Sequence, residues 1–149
     1  MIFMANRELS RAEWLSKAEA YCSRAEHCAA DVRRKLYEWG APTELDDEIE
    51  QSLYLHDFLN DVRFCRAYVH DKVIYQSWGR LKIQAGLRSL QLPDSAVRNA
   101  MNEIEETQYR HNLQKLISQR RADSEDKRLR FLLQRGYTYE EISHCIKSA

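Results

Sequence analysis

The feature that most constrains the fold is a motif that occurs three times, an apolar helix end followed by a break and a capped helix start. The copies read KLYEWGAPTEL, GLRSLQLPDSA and FLLQRGYTYEE. The break is Gly40 or Gly136 in the outer copies and Gln91 in the middle one. A repeat of this period is typical of small helical modules stacked one after another. Matching leucines stand 51 and 45 positions apart, at Leu36, Leu87 and Leu132.

Start and stop signals divide the chain into about nine helices, three to a module. Ser10 is placed to cap the first helix, and Ser23 with Glu26 has the spacing of a capping box before the second. Thr138 with Glu141 has the same spacing before the ninth helix. Further helix starts are predicted at Thr43, Asn60, Ser77, Pro93 and Asp123.

The composition favours long helices with few turns. The 149 residues include only 4 Gly and 2 Pro, which are too few for the many tight turns of an all-β fold. We therefore expect an all-α protein built of three tandem three-helix modules. The predicted modules span residues 1–58, 59–106 and 107–149.

The charges of the chain balance, with 23 basic and 23 acidic residues. Because a neutral chain has no global field that attracts nucleic acid, any phosphate binding must come from a local patch. No apolar run approaches the roughly 18 residues that a membrane span requires. The start of the chain, MIFMANRELSRAEW, becomes charged too early for a secretory leader. We therefore expect a cytoplasmic protein with no membrane partner.

Residue patterns that would indicate catalysis or metal binding are missing. The chain has no glycine-rich phosphate loop, no G-x-S-x-G, no H-E-x-x-H and no EF-hand loop. Neighbouring residues on a helix point about 100° apart, so an adjacent His–Cys pair usually offers a metal only one ligand. We expect no catalytic residue, no metal and no cofactor. The four cysteines, none of them in a C-x-x-C, are Cys22, Cys28, Cys65 and Cys145.

One segment of the central module, FLNDVRFCRAYVHDKVIYQSWGRLKI, mixes aromatic and basic residues. Helical spacing places Phe64, Ala67, Tyr68 and Tyr75 on one face, for which we expect a core role. Gly79 stands in the first turn of the next helix, where it lets the backbone of a neighbour come close. The basic residues of the helix that carries Phe64 lie off the core face, and at least one of the two basic residues that flank Leu81 must face solvent. They are our candidates for a partner-binding surface: Arg63, Arg66, Lys72, Arg80 and Lys82.

The order of residues in this segment is more specific than its composition. The pattern resembles the RecX family of regulatory proteins. The resemblance is looser in the flanking modules and extends over roughly Glu19 to Ile146. The residues that carry it are Leu59-Asn60-Asp61, Arg63-Phe64-Cys65, Ala67-Tyr68-Val69, Trp78-Gly79-Arg80, Lys82-Ile83 and Leu87.

The resemblance implies an elongated, curved, right-handed-type stack of three three-helix modules that binds the RecA recombinase. Such proteins lodge in the groove of the RecA–single-stranded DNA filament, suppress its ATPase and strand exchange, and favour filament loss. Single-stranded DNA would then be contacted directly or through the filament, and we expect the protein to be a monomer.

Two other functions fit the residues. Basic clusters with interleaved aromatics are also typical of a helical DNA-binding protein that acts without RecA. Charged outer faces are equally typical of a helical-repeat adaptor for an unrelated protein.

Overall fold

Nine α-helices and one short 3-10 turn account for most of residues 8–148, which are the residues that this computed structural model describes. No strand occurs in this range, so the predicted all-α class is confirmed. The first seven residues, part of the segment from which the absence of a leader was predicted, lie outside it. The turn Thr43–Leu45 leads into α3. The helices are α1 (Arg11–Arg24), α2 (Ala29–Trp39), α3 (Asp46–Leu55), α4 (Asp61–Ile74), α5 (Arg80–Ser89), α6 (Asp94–Asn102), α7 (Glu106–Gln119), α8 (Glu125–Gln134) and α9 (Tyr139–Ser148).

The helices group in threes, and within each group every helix contacts the other two. We call α1–α3 the first triplet, α4–α6 the central triplet and α7–α9 the third triplet, each with the segments that join its helices. The described chain up to Asn60 forms one compact unit, and the chain from Asp61 forms a second that holds the central and third triplets. The residue boundaries of the predicted modules stay a prediction.

The three predicted breaks share one backbone geometry. Gly40, Gln91 and Gly136 have φ angles of 84°, 61° and 102°, all in the left-handed region. Past Gly40, the Ala41 amide donates to the Leu36 carbonyl at 2.9 Å, which is the long hydrogen bond of a Schellman motif. The repeat seen in the sequence is therefore a repeat of conformation. Its matching leucines are all buried: Leu36, Leu87 and Leu132.

Two of the predicted capping arrangements are confirmed. The Ser10 hydroxyl accepts from the Glu13 amide at 3.1 Å, and the Glu13 carboxylate accepts from the Ser10 amide at 2.9 Å. The same reciprocal pair joins Thr138 and Glu141, at 3.0 and 2.8 Å. Each pair satisfies two amides that a helix start would otherwise leave without acceptors.

The capping box predicted at Ser23 is wrong. Helix α1 continues past Ser23, whose hydroxyl donates to the Glu19 carbonyl at 2.9 Å inside the helix. The second helix starts later, with Cys28 at the cap position and the Asp31 carboxylate accepting from its amide at 3.3 Å. An acid three residues into the helix makes this half of the box without a Ser or Thr.

Two other predicted caps are displaced. Ser77 has a left-handed φ of 52°, and α5 begins three residues later at Arg80, with Gly79 at the cap position. In the third triplet the cap is Ser124 and not Asp123. Between α4 and α5 the reason is tertiary, because this segment is hydrogen bonded to the third triplet, as described below.

Apolar side chains of α4 form a narrower stripe than the spacing predicted. Ala67 is exposed, since it lies two residues beyond Cys65 and therefore about 200° around the helix. Tyr75 is 73% exposed because α4 ends at Ile74, so the helical stripe does not reach it. The core role predicted for these two residues is therefore wrong. The buried residues of this helix are Phe64, Cys65, Val69 and Val73.

Candidate partner-binding surface

The five basic residues predicted to bind a partner lie on two helices that contact each other in the central triplet. Arg63, Arg66 and Lys72 belong to α4, and Arg80 and Lys82 belong to the first turn of α5. Their surroundings differ. Some are tied to carboxylates elsewhere in the chain, whereas the two lysines gather on an aromatic ring.

Arg80 joins the central triplet to the third. Its guanidinium forms ion pairs with Glu106, on α7, and with Glu141, on α9, the second at 3.2 Å. The same guanidinium lies 4.0 Å from the centre of the Tyr109 ring, and the Arg80 amide donates to the Tyr109 hydroxyl at 2.9 Å. Burial raises the pKa of this phenol, which keeps it protonated. Arg80 is thus held by three side chains of the neighbouring triplet.

Gly79 brings the two backbones together, as its position predicted. The Gly79 amide donates to the Arg135 carbonyl at 2.8 Å, and the Leu81 amide donates to the Gly136 carbonyl at 3.1 Å. A Cβ added at Gly79 would overlap the backbone of Gly136 and Tyr137. Only a residue without a side chain fits here, so the W-G-R part of the motif has a structural role at this junction.

Side chains of the third triplet complete the junction. Where α4 ends and the chain turns, backbone carbonyls have no helical amide to accept from, and side chains of the third triplet donate to them instead. Burial raises the pKa of the Tyr137 phenol, so its hydroxyl remains a donor. The Asn112 amide side chain donates to the Val73 carbonyl at 2.8 Å, and the Tyr137 hydroxyl donates to the Ser77 carbonyl at 2.8 Å. The Arg135 guanidinium donates to the Gln76 carbonyl.

The junction roles of Asn112, Arg135 and Tyr137 were not predicted from the sequence. Asn112 carried a usable signal, because it follows Tyr109 at helical spacing and directly precedes Leu113 on a face that is otherwise apolar. A buried amide on such a face needs hydrogen-bond partners, and Asn112 has Gln108 as a second one at 2.8 Å. Which backbone carbonyl it serves is not encoded locally.

Lys72 and Lys82 converge on Trp78. Their ammonium groups lie 4.7 and 4.3 Å from the centre of the Trp78 ring, and Lys72 is also 5.1 Å from the centre of the Tyr68 ring. Lys72 has Asp71 at 3.6 Å. The half-buried indole therefore holds two ammonium groups without neutralising them.

The two arginines of α4 are engaged within the chain. Arg66 is exposed and pairs with Glu103 at 3.0 Å. Arg63 is half-buried and also has an interaction within the protein. An exposed pair such as that of Arg66 contributes at most about 1 kcal/mol, so a partner can replace the glutamate at little cost.

A cation–aromatic trio like that of Trp78 occurs in each triplet. In the first triplet, Lys17 lies 4.5 Å and Lys35 lies 5.9 Å from the centre of the Trp39 ring. One cation comes from the first helix of the triplet and the other from the second. In the third triplet the trio is Phe131, Arg120 and Arg135.

Over residues 8–148, no group of three or more His, Cys, Asp or Glu side chains is arranged to hold a metal ion. None of the helices described is both long and apolar enough to cross a membrane.

Comparison with known proteins places these features in a family. Residues 60–101 match the family model described as RecX, second three-helix domain. The Regulatory protein RecX of Vibrio parahaemolyticus is 30% identical over 148 residues, covering 91% of this chain and 93% of the relative. That of Ralstonia nicotianae is 29% identical over 145 residues, covering 90% and 86%.

Solved structures support the fold. The crystal structure of RecX from Lactobacillus salivarius superimposes with a TM-score of 0.74 at 20% identity, covering 93% of this chain and 95% of that one. A second crystal structure of regulatory protein RecX gives the same TM-score at 19% identity and covers 95% and 81%. Given the identity to its relatives across nearly their whole length, the chain belongs to the RecX family of regulatory proteins.

Proposed function

We propose that this protein binds the RecA–single-stranded DNA filament and inhibits the ATPase and strand-exchange activities of RecA. The observation that carries the proposal is the family match over nine-tenths of the chain, which includes the central triplet. The nucleotide chemistry belongs to RecA, and this chain acts by binding. We further propose that it acts in the cytoplasm as a monomer.

The contact residues of the central triplet divide by role. Lys72 and Lys82 present their ammonium groups beside Trp78, where they attract an acidic surface and offer an apolar ring next to it. Arg63 and Arg66 extend this basic face along α4. We assign Arg80 a positioning role, because its guanidinium is already held by Glu106 and Glu141.

A helical polymer favours this kind of binding surface. The first and central triplets each carry a lysine–tryptophan trio, so one chain offers two chemically similar contacts. The arginines of the third trio are already engaged, by Asp123 and by the Gln76 carbonyl. When several weak contacts are linked in one chain, binding by the first raises the effective concentration of the others. Modest contacts are therefore sufficient for strong binding to a repeating partner.

The test is the single-stranded-DNA-dependent ATPase of RecA, measured while this protein is titrated in. We expect inhibition at amounts near or below one chain per RecA protomer. In the variant Lys72→Gln/Lys82→Gln we expect the midpoint of the titration to rise about 10-fold, since two charges leave the contact surface. The matched control is Lys115→Gln/Lys147→Gln, which removes the same charge from α7 and α9.

Unchanged ATP hydrolysis in the presence of excess folded wild-type protein would refute RecA inhibition. Equal midpoints for the two double variants would instead remove Lys72 and Lys82 from the contact surface. Sedimentation of the protein alone checks the monomer, and a concentration-dependent increase in mass would contradict it.

A further inference from the structure

A hollow of about 410 Å³ lies on the first triplet, between α1, α2 and the segment that joins them. It shares no residue with the central-triplet surface described above. Its side chains are almost all basic or aromatic. They are Lys17, Ala20, Tyr21, Arg24, His27, Lys35 and Trp39.

The hollow is positively charged and its charges are not neutralised from within. Lys17, Arg24 and Lys35 have no carboxylate within ion-pair distance among the residues that the structure describes. Two carboxylates lie near the joining segment: Asp31 is engaged by His27 at 3.4 Å and by Arg34 at 3.5 Å, and Glu26 is half-buried and has an interaction of its own. A site of this kind attracts an anion, and it does so although the whole chain is neutral.

Aromatic rings stand directly beside the cations. The Lys17 ammonium lies 4.5 Å from the centre of the Trp39 ring, and the Lys35 ammonium lies 5.7 Å from that of Tyr21. The Tyr21 and Trp39 rings are almost perpendicular, with centres 5.9 Å apart, so they form a corner. His27 stacks on Tyr21 at 3.9 Å and covers part of that ring, whereas Trp39 is covered by the ends of two flexible side chains, Lys17 and Lys35.

We propose that this hollow binds one nucleotide of a single-stranded nucleic acid. Lys17 and Lys35 turn from the Trp39 ring to bind phosphate oxygens, and the base packs against the ring that they uncover. A strand without a complement exposes the faces of its bases, and the combination of cations with aromatic rings is the chemistry that recognises it. A simple inorganic anion would use the cations but not the ring, and a duplex keeps its base faces covered.

This site requires no RecA, so it can be tested separately from the proposed function. The test is the fluorescence anisotropy of a labelled thymidine 20-mer titrated with the full chain at several salt concentrations. We expect binding that weakens with salt, and about 10-fold weaker binding by Lys17→Gln/Lys35→Gln. Loss of two phosphate contacts should also make the slope of log K against log salt shallower by about 1.4.

The control variant is Lys115→Gln/Lys147→Gln, which makes the same change of charge on the third triplet. Trp39→Leu should weaken binding on the order of 10-fold without changing the salt slope, because stacking is not electrostatic. Because Trp39 also packs against the core, each variant is checked by thermal melting. Absence of oligonucleotide binding at low salt, or equal binding by the two double-lysine variants, overturns the site.

Two further measurements on the wild-type chain do not depend on any variant folding. Bound 20-mer should slow acetylation of Lys17 and Lys35 by at least about threefold, while Lys115 reacts as before; unchanged acetylation of the first two overturns the proposal. Inorganic phosphate and an oligoglutamate peptide serve as competitors. If either displaces the 20-mer as well as unlabelled 20-mer does at equal charge, the hollow binds anions in general, and the proposed nucleotide site is overturned.

Discussion

Replacing Gly79 by alanine tests the junction between the central and third triplets. The φ of Gly79 is −80°, so alanine adopts the same backbone without strain, and the new methyl group is the whole perturbation. That group would lie closer than 3.0 Å to three backbone atoms of Gly136 and Tyr137. Such separations do not occur in folded proteins, and backbone atoms cannot move aside as the end of a flexible side chain does.

The expected loss in the free energy of unfolding follows from the contacts that the new methyl group disrupts. Overpacking of this kind costs about 1–3 kcal/mol. If the two backbones separate to make room, the bonds from Gly79 to Arg135 and from Leu81 to Gly136 lengthen, at about 1 kcal/mol each. Alanine restricts the unfolded chain and returns about 0.4–1 kcal/mol. We therefore expect the free energy of unfolding to fall by about 2–4 kcal/mol.

The assay combines urea denaturation with native-state hydrogen exchange. Exchange of the Leu81 amide should accelerate in Gly79→Ala, because its acceptor is the Gly136 carbonyl across the junction. Amides of the first triplet should exchange as in the wild type. This difference separates opening of the junction from general loss of stability.

Gly40→Ala is the matched control. A Cβ at Gly40 would have no atom within 4 Å, but its φ of 84° is left-handed. Alanine there should cost about 1–2 kcal/mol through backbone strain alone, with no effect on Leu81. If Gly79→Ala is within about 0.5 kcal/mol of the wild type and the exchange of Leu81 is unchanged, the close approach of the two triplets is refuted.

Two more predictions concern buried and half-buried groups. Arg80→Met should lower the free energy of unfolding by about 1–2 kcal/mol, because Glu106 and Glu141 lose their half-buried partner; a urea midpoint equal to that of the wild type contradicts this. Burial raises the pKa of the Cys22 and Cys28 thiols from 9.0 to about 11. At pH 8 their thiolates should be about 100-fold scarcer than those of a free thiol, and a thiol reagent should react correspondingly slowly. Because the folded pKa is the higher one, the contribution of these two thiols to stability should be fully present below about pH 9 and be lost as the pH rises towards 11; thiols that react at the rate of free cysteine contradict the burial.

Features set by nearby residues could be predicted from the sequence. The breaks at Gly40 and Gly136 and the capping box at Thr138 depend on a few adjacent residues, and the structure has them where the pattern placed them. The same local reasoning failed at Ser23. The S-x-x-E pattern at Ser10 starts α1, whereas the one at Ser23 lies in the last turn of α1, where the helical hydrogen bonds continue.

Features set by distant residues could not be predicted in full. Gly79 and Arg80 were singled out from the sequence, but their partners were not. The two glutamates that bind Arg80 lie 26 and 61 residues away along the chain. A guanidinium on a helix surface looks the same in sequence whether its acceptor is a partner protein or a glutamate of the next triplet. Lys72 and Lys82 meet on Trp78 only because α4 and α5 fold back on each other.

The contact between Gly79 and Gly136 limits how such a chain can be rearranged by duplication or exchange of its repeats. The third triplet supplies the acceptor for the Gly79 amide, and its Tyr137 hydroxyl serves the Ser77 carbonyl. If another repeat with a bulkier residue at position 136 took its place, these polar groups would be left without partners. The repeats therefore look alike in conformation, but the second and third behave as a matched pair.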